Sequence, residues 1–291
     1  MSAMLKKCLG FSVAALIFFG GAVEVARAGE VRSFTVINLR SATLTAQYWN
    51  PILDYLSRKS GVSLQLTIGR SQPETVAAIN RGEVDYVVSG TIFSPRSQLL
   101  GYRVIGRLAG PPVHGQIVVA QGSKLKTLND IEGAEVGFSS RSVFIAYAVP
   151  MNEIVRRGLH VKANFAGNQE GVMGQLLSGR IEVAAVHSQV MREFSEREGF
   201  AYRVLWSSEK YQSWPLSAHP RLPDAEVKAV QAAVLAMKDD PVGREILIRS
   251  AAIIKQQPPF GFMPASDRDY ENYRRFYKTT QVRDCDGCSP Q

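Results

Sequence analysis

The chain has 291 residues, 45% of them hydrophobic and 21% charged, with a formal net charge of +8 at neutral pH. Its bases stand singly or in pairs such as Arg156-Arg157 and Arg274-Arg275, which excludes the dense basic run of a nucleic-acid footprint. A modest positive balance suits a small anionic ligand, and this length accommodates one large domain or two lobes.

The first 28 residues read as a secretory leader: Lys6 and Lys7, an apolar run from Leu9 to Val23, then Ala26-Arg27-Ala28 as an A-x-A cleavage site. Cys8 precedes the apolar run, so it is no lipobox cysteine. Cleavage after Ala28 removes three bases and one acid from 34 and 26, leaving +6. The expected location is the periplasm. Cys285 and Cys288 remain, in a polar tail where a short-range disulfide suits an oxidising compartment. Two thiols with Asp284 and Asp286 do not make up a metal ligand set, so neither a metal nor a cofactor is expected.

The mature chain opens with a buried strand, Phe34 to Leu39, ending in Arg40-Ser41. A helix from about Thr45 to Ser60 follows, capped by Gly61. Leu64 to Ile68 is a second strand and Gln72 to Arg81 a second helix, opened by Ser71 and Pro73. Val84 to Val88 is a third strand, running into Ser89-Gly90-Thr91. This alternation implies a parallel sheet with helices on both faces, and ligands of such sheets sit beyond the strands' carboxyl ends. Those ends carry small, hydroxylated or basic residues.

Tyr102 to Leu108 is another strand, after which GPPVHG at 110–115 breaks the pattern and Gln116 to Ala120 resumes it. That break marks passage into a second lobe. Its apolar run to Phe138 leads into Ser139, Ser140, Arg141 and Ser142 and then a segment with helical spacing to about Arg157. Strand, serine-rich turn and helix start leave amide N–H groups and hydroxyls pointing together at a positive dipole end, which makes an anion site or a plain N-cap. A strand near Ala163-Asn164-Phe165, a helix from Gln169 to Leu177 and the strand Ile181 to Val186, ending in His187, follow. Tyr202 to Trp206 is one more strand, and the chain crosses back through 207–216. Asp224 to Lys238 is an amphipathic helix, and 241–277 reads as helices interrupted by QQPPFGF.

Arg40, Arg70, Arg96 and Arg141 lie at strand ends or in the turns beyond. Each is a solvated base or a bidentate fork for an oxyanion. Tyr211 and Trp214 in the return crossover wall a cleft or pack in a core, and His187 ends a strand on the cleft side. Glu170 and His187 could act as an acid/base pair, but they fall on different elements, and the chain shows neither HExxH nor GxSxG, so a binding protein rather than an enzyme is expected.

Six segments, PILDYL at 51–56, INRGEVDYVVSG at 79–90, LNDIEGAEVGF at 128–138, LLSGRIEVAAVHS at 176–188, RLPDAEVKAVQAAVLAM at 221–237 and FMPASDRDYENYR at 262–274, stand out. In their order and spacing they resemble the periplasmic binding proteins of phosphonate, phosphite and phosphate uptake systems. The resemblance implies an α/β, two-lobed type II fold, each lobe a mostly parallel sheet flanked by helices with the ligand cleft between them. Lobe 1 would comprise 29–113 and 215–280, lobe 2 114–214, and 281–291 would be a tail. It also implies that the family's Ser-Thr-Ser phosphonate turn falls on Ser139-Ser140-Arg141-Ser142, in a segment about two residues longer than usual. The family's proline and tyrosine at the third strand's end fall on Thr91 and near Ser94. Its helix-opening aromatic becomes Gln72, and its histidine and following acid fall on Gln169 and Glu170. The ligand is then a phosphonate- or phosphite-like oxyanion or a small acid. The implied protein is a monomeric partner of an ABC permease, or alternatively of a membrane sensor histidine kinase.

Overall fold

The computed structural model of the protein describes residues 30–285, so the expected leader and Cys288 lie outside the described residues. The chain begins with β1 (Arg32–Val36), α1 (Ala42–Ser60), β2 (Leu64–Leu66), α2 (Gln72–Asn80), β3 (Tyr86–Val88), the short α3 (Pro95–Gln98) and β4 (Arg103–Leu108). It crosses to β5 (Gly115–Ala120), β6 (Glu135–Phe138), α4 (Val149–Arg156), β7 (Lys162–Phe165), α5 (Gln169–Leu177), β8 (Val183–His187), α6 (Ser188–Glu198) and β9 (Tyr202–Ser207). It returns through β10 (Pro215–Ala218), α7 (Asp224–Ala236), α8 (Pro241–Ile253), β11 (Phe262–Met263) and α9 (Glu271–Thr279).

Two mixed sheets flanked by helices result, an α/β architecture of two lobes. The first has the order β11-β4-β10-β3-β1-β2 and the second β7-β6-β8-β5-β9. The parallel order that strand–helix alternation implies is present in β2-β1-β3 and β7-β6-β8. The other pairings are antiparallel, because β10 and β5 enter their sheets directly from the crossing segments with no helix to reverse the chain. β11, which falls within the segment read from sequence as helical, adds antiparallel to β4.

Local signals explain most boundaries. The Ser41 hydroxyl accepts the Leu44 N–H at 3.3 Å to open α1, and Gly61 closes it at φ 72, a conformation glycine adopts without strain. Tyr48, Trp49, Ile52, Leu53, Tyr55 and Leu56 form the buried stripe of α1 against α7 and α8. Phe34 of β1 is fully buried between Trp49 and Tyr86, a site where truncation to Ala costs about 3–5 kcal/mol.

The two crossing segments pair with each other. Val113 and Tyr211 exchange both backbone hydrogen bonds, at 2.7 and 2.9 Å. Over this joint lies an aromatic cluster in which Tyr273 of α9 stacks on Phe144, with centroids 4.4 Å apart, and donates its hydroxyl to the Gln212 carbonyl. Residues 280–285 then cross onto the second lobe. Asn152 Oδ1 accepts from the Thr280 hydroxyl and the Gln281 N–H, and Val282 and Cys285 bury in the apolar cluster that holds Tyr147. Cys285 is disulfide-bonded.

Candidate functional site

The lobes meet where the strand ends and helix starts of both sheets converge. Past β1, Asn38 donates to the Gly69 carbonyl at 2.8 Å and accepts the Thr75 hydroxyl at 2.5 Å, fixing the β1 end against the start of α2. The Leu39 carbonyl accepts the Glu170 N–H from the first turn of α5 at 3.3 Å. Ile37, Leu39 and Val76 from the first lobe share one apolar cluster with Val172 and Met173 of α5. The cleft is closed.

The openings of α2 and α5 match. Each has a polar N-cap, Ser71 accepting from Glu74 N–H and Asn168 from Gly171 N–H, followed at once by a glutamine. Gln72 and Gln169 are both fully buried. Gln169 Oε1 accepts the His187 N–H at 2.9 Å, while its Nε2 and both amide atoms of Gln72 have no partner among the described residues. Ser139, also fully buried, leaves its hydroxyl unpartnered in the same way. Buried polar atoms of this kind cost about 1–3 kcal/mol each when left unpaired.

His187, at the end of β8, is 2% exposed, and neither ring nitrogen has a partner among the described residues. Burial, with the charges of Arg40 and Arg192, pulls its pKa down to about 3, so the imidazole is neutral and offers one donor and one acceptor. It lines a small pocket with Ser89, Gly90, Thr91, Phe144 and Trp214. The Ser89 hydroxyl donates to that of Thr91 at 2.9 Å and accepts the Thr91 N–H. Gly90 is required there, since a Cβ would lie 2.7 Å from the Tyr273 ring.

The serine turn differs from a simple N-cap. A π-helical turn, Phe144–Ala148, stands between it and α4, and no side chain caps its start. Pro150 can donate no amide to the preceding turn, which fits the wider i→i+5 pattern before it. Ser140 Oγ accepts the Ser142 N–H at 3.3 Å, and both residues are buried.

The remaining sequence candidates are engaged by other groups of the protein or are exposed. The half-exposed Arg141 donates to Asp284 at 3.1 Å and lies 4.5 Å over the Phe165 ring. Arg40 pairs with Glu193 of α6, whose side chain is 2% exposed. Glu170 pairs with Arg197 at 2.6 Å. Ser94 is the N-cap of α3, accepting from Ser97 N–H. Arg70 and Arg96 are exposed. Trp214 stacks on His187 and lines the same pocket. Sequence reasoning passed over Glu193, although an acid beside Val190, Met191 and Phe194 on the buried stripe of α6 is a visible anomaly.

The junction between the lobes thus brings amides, hydroxyls, a neutral imidazole and the starts of two helices into one region, and Arg40 beside it is paired with Glu193. Such a set can bind and orient an anion through donors and dipoles.

The family model of the ABC-transporter phosphonate periplasmic substrate-binding protein matches residues 34–270. PhnD1 from Prochlorococcus marinus, in complex with methylphosphonate, aligns with a TM-score of 0.71 at 16% identity over 85% of this chain and 97% of that one. A binding-protein component of an ABC phosphonate transporter from Pseudomonas aeruginosa aligns at 0.70, 15% identity and 84% of each chain. The alkanesulfonate-binding protein of Xanthomonas axonopodis pv. citri, bound to MOPS, aligns at 0.57, 15% identity, 85% of this chain and 91% of that one. None of the curated proteins matches the chain in sequence.

Proposed function

The chain belongs to the periplasmic substrate-binding proteins of phosphonate ABC transporters, and from that premise we propose that it captures a phosphonate- or phosphite-like oxyanion, or a small acid, between its lobes and delivers it to an ABC permease. The family is one of binding proteins rather than enzymes. In this reading residues 1–28 are a leader cleaved after Ala28, and 29–113 with 215–280 closes on 114–214.

One observation carries the proposal: the fully buried Gln72 and Gln169, one heading a helix in each lobe, hold unpartnered amide atoms at the lobe junction. An anion there receives Nε2–H donors from both lobes, and the Ser139 hydroxyl and a His187 N–H are further donors. Because each lobe supplies part of the shell, binding favours closure. A charge-assisted hydrogen bond contributes about 1.5–3 kcal/mol, so removing one weakens binding roughly tenfold to a hundredfold.

Mass spectrometry of small molecules released from the purified protein, followed by calorimetric titration with oxyanions and small acids, tests it. Gln72→Leu should weaken binding of the responding anion by that factor while leaving the ligand-free melting temperature the same or higher. A protein that releases no anion and responds to none of the panel would sink the proposal.

A further inference from the structure

The match to the family model ends at residue 270, yet the chain continues past α9 onto the second lobe. There the Asp284 carboxylate accepts the Tyr147 hydroxyl, which lies 2.8 Å from each oxygen, and the Arg141 Nε–H at 3.1 Å. One tail residue thus holds both ends of the segment that runs from the serine turn through the π-helical turn Phe144–Ala148. Cys285, the next residue, is 7% exposed and disulfide-bonded, and it buries with Val282 in the cluster of Phe138, Phe144 and Tyr147. Asp284 is therefore carried on an anchored stretch of chain.

Tyr147 connects this tail to the lobe junction. It is fully buried, and its ring meets that of Phe138 edge-on, with centroids 5.1 Å apart. Phe138 ends β6 immediately before Ser139, whose hydroxyl is unpartnered among the described residues. The π turn also supplies Phe144 and Ile145, with Val143 before them, to the pocket of His187. Gly115 of β5 has no room for a Cβ against the Ile145 carbonyl, so the turn rests directly on the sheet. The sheet supports the turn on that side, and the tail ties it through the Tyr147 hydroxyl. Burial and the carboxylate hold the phenol's pKa above its ordinary value, so it stays a donor. Isolated π turns are rare, and contacts from outside the turn must hold this one.

We propose that Asp284 is a positioning residue for ligand binding: through the Tyr147 hydroxyl it holds the π turn and Ser139 in the geometry in which the second lobe receives an anion. The inference rests on the reading of the junction as an anion site and adds a residue outside the span matched by the family. Arg141 is the lesser partner, because its pair with Asp284 joins half-exposed side chains and contributes little. Indirect coupling of this kind changes affinity about two- to thirtyfold. A carboxylate that served only to tie down the terminus would leave affinity where it was.

Titration calorimetry on the chain without residues 1–28 tests this with methylphosphonate, phosphite and acetate as probes. For whichever binds, Asp284→Ala should weaken binding by that factor while the urea midpoint changes little. Tyr147→Phe should weaken it equally and the double variant no further, since both remove the same tie. Asp284→Asn keeps an oxygen acceptor for the hydroxyl and should bind like the wild type. Hydrogen exchange of residues 142–148 without ligand should quicken in Asp284→Ala and Tyr147→Phe but not in Asp284→Asn. Asp284→Ala binding as tightly as the wild type would overturn this inference and leave the anion site standing, as would losses that add in the double variant or unchanged exchange. Failure of all three probes to bind the wild type removes the anion site, and the inference with it.

Discussion

His187 and Trp214 lie face to face, ring centroids 4.4 Å apart and planes 26° from parallel, so the end of β8 in one lobe rests on the crossing segment that leads into the other. The contact desolvates an imidazole and joins the rigid part of the second lobe to the joint about which it would move. With its pKa pulled down to about 3, His187 binds fewer protons folded than unfolded across the interval up to 6.5. Stability therefore falls as pH drops below about 6.5 and stops falling near pH 3. By pH 5 the loss from this group is about 2 kcal/mol. His187→Phe keeps the stack and removes the titration. Melting temperatures between pH 5 and 7.5 should show a shallower acid decline for the variant than for the wild type; parallel curves would show that His187 titrates freely.

The Arg40–Glu193 pair links the lobes and is mostly buried, with the two side chains 13% and 2% exposed. Burial holds the Glu193 pKa above the usual carboxylate range despite the opposing pull of Arg40. Arg40→Met strands the carboxylate, at a cost of about 3–5 kcal/mol in the closed arrangement. Opening lets Glu193 reach water, so small-angle scattering should show a larger radius of gyration for Arg40→Met without ligand. Arg40→Met with Glu193→Met should be compact again. An unchanged radius in the single variant would rule out the pair as a latch.

Arg141 and Asp284 form a pair with half-exposed side chains, so it is worth about 0–1 kcal/mol. Arg141→Lys loses the planar fork and its place over Phe165 but leaves the lobe junction intact. Anion affinity should stay within a factor of two. Protease cleavage near residue 280 should rise modestly. A tenfold loss of affinity would instead place the guanidinium in the ligand's shell.

Asp85 ties the start of β1 to the chain after β10. Burial alone would raise its pKa, but the Ser33 N–H and the Arg221 guanidinium outweigh this and hold it below the usual value. The stabilisation is present above the unfolded carboxylate's pKa, near 3.8, and is lost as pH falls through the lower folded value. Asp85→Asn should lower neutral-pH stability by about 1–3 kcal/mol and lessen acid sensitivity in the same window. Equal urea midpoints at pH 7 would contradict it.

Element order was legible from the sequence because buried strands are short apolar runs and Gly61, Gly82 and Gly179 follow helices. Strand direction was less so. β10 looks like any apolar run, and the two residues of β11 show no period. The helix-opening positions Gln72 and Gln169 were readable because the N-caps before them are local signals. The partners of Arg40 and Arg141 were not, lying 153 and 143 residues away, where no periodicity reaches. The π turn had one local sign, Pro150, whose consequence depends on the chain before it.

The path of residues 280–285 has a practical corollary. Glu30 lies next to β1 in the first sheet, whereas Asp284 and Cys285 are pinned to the second lobe through Tyr147 and Asn152. The two ends of the described chain thus ride on opposite jaws. Fluorophores fused at those ends would convert jaw angle into energy transfer, giving a reagentless sensor with no label inside the cleft.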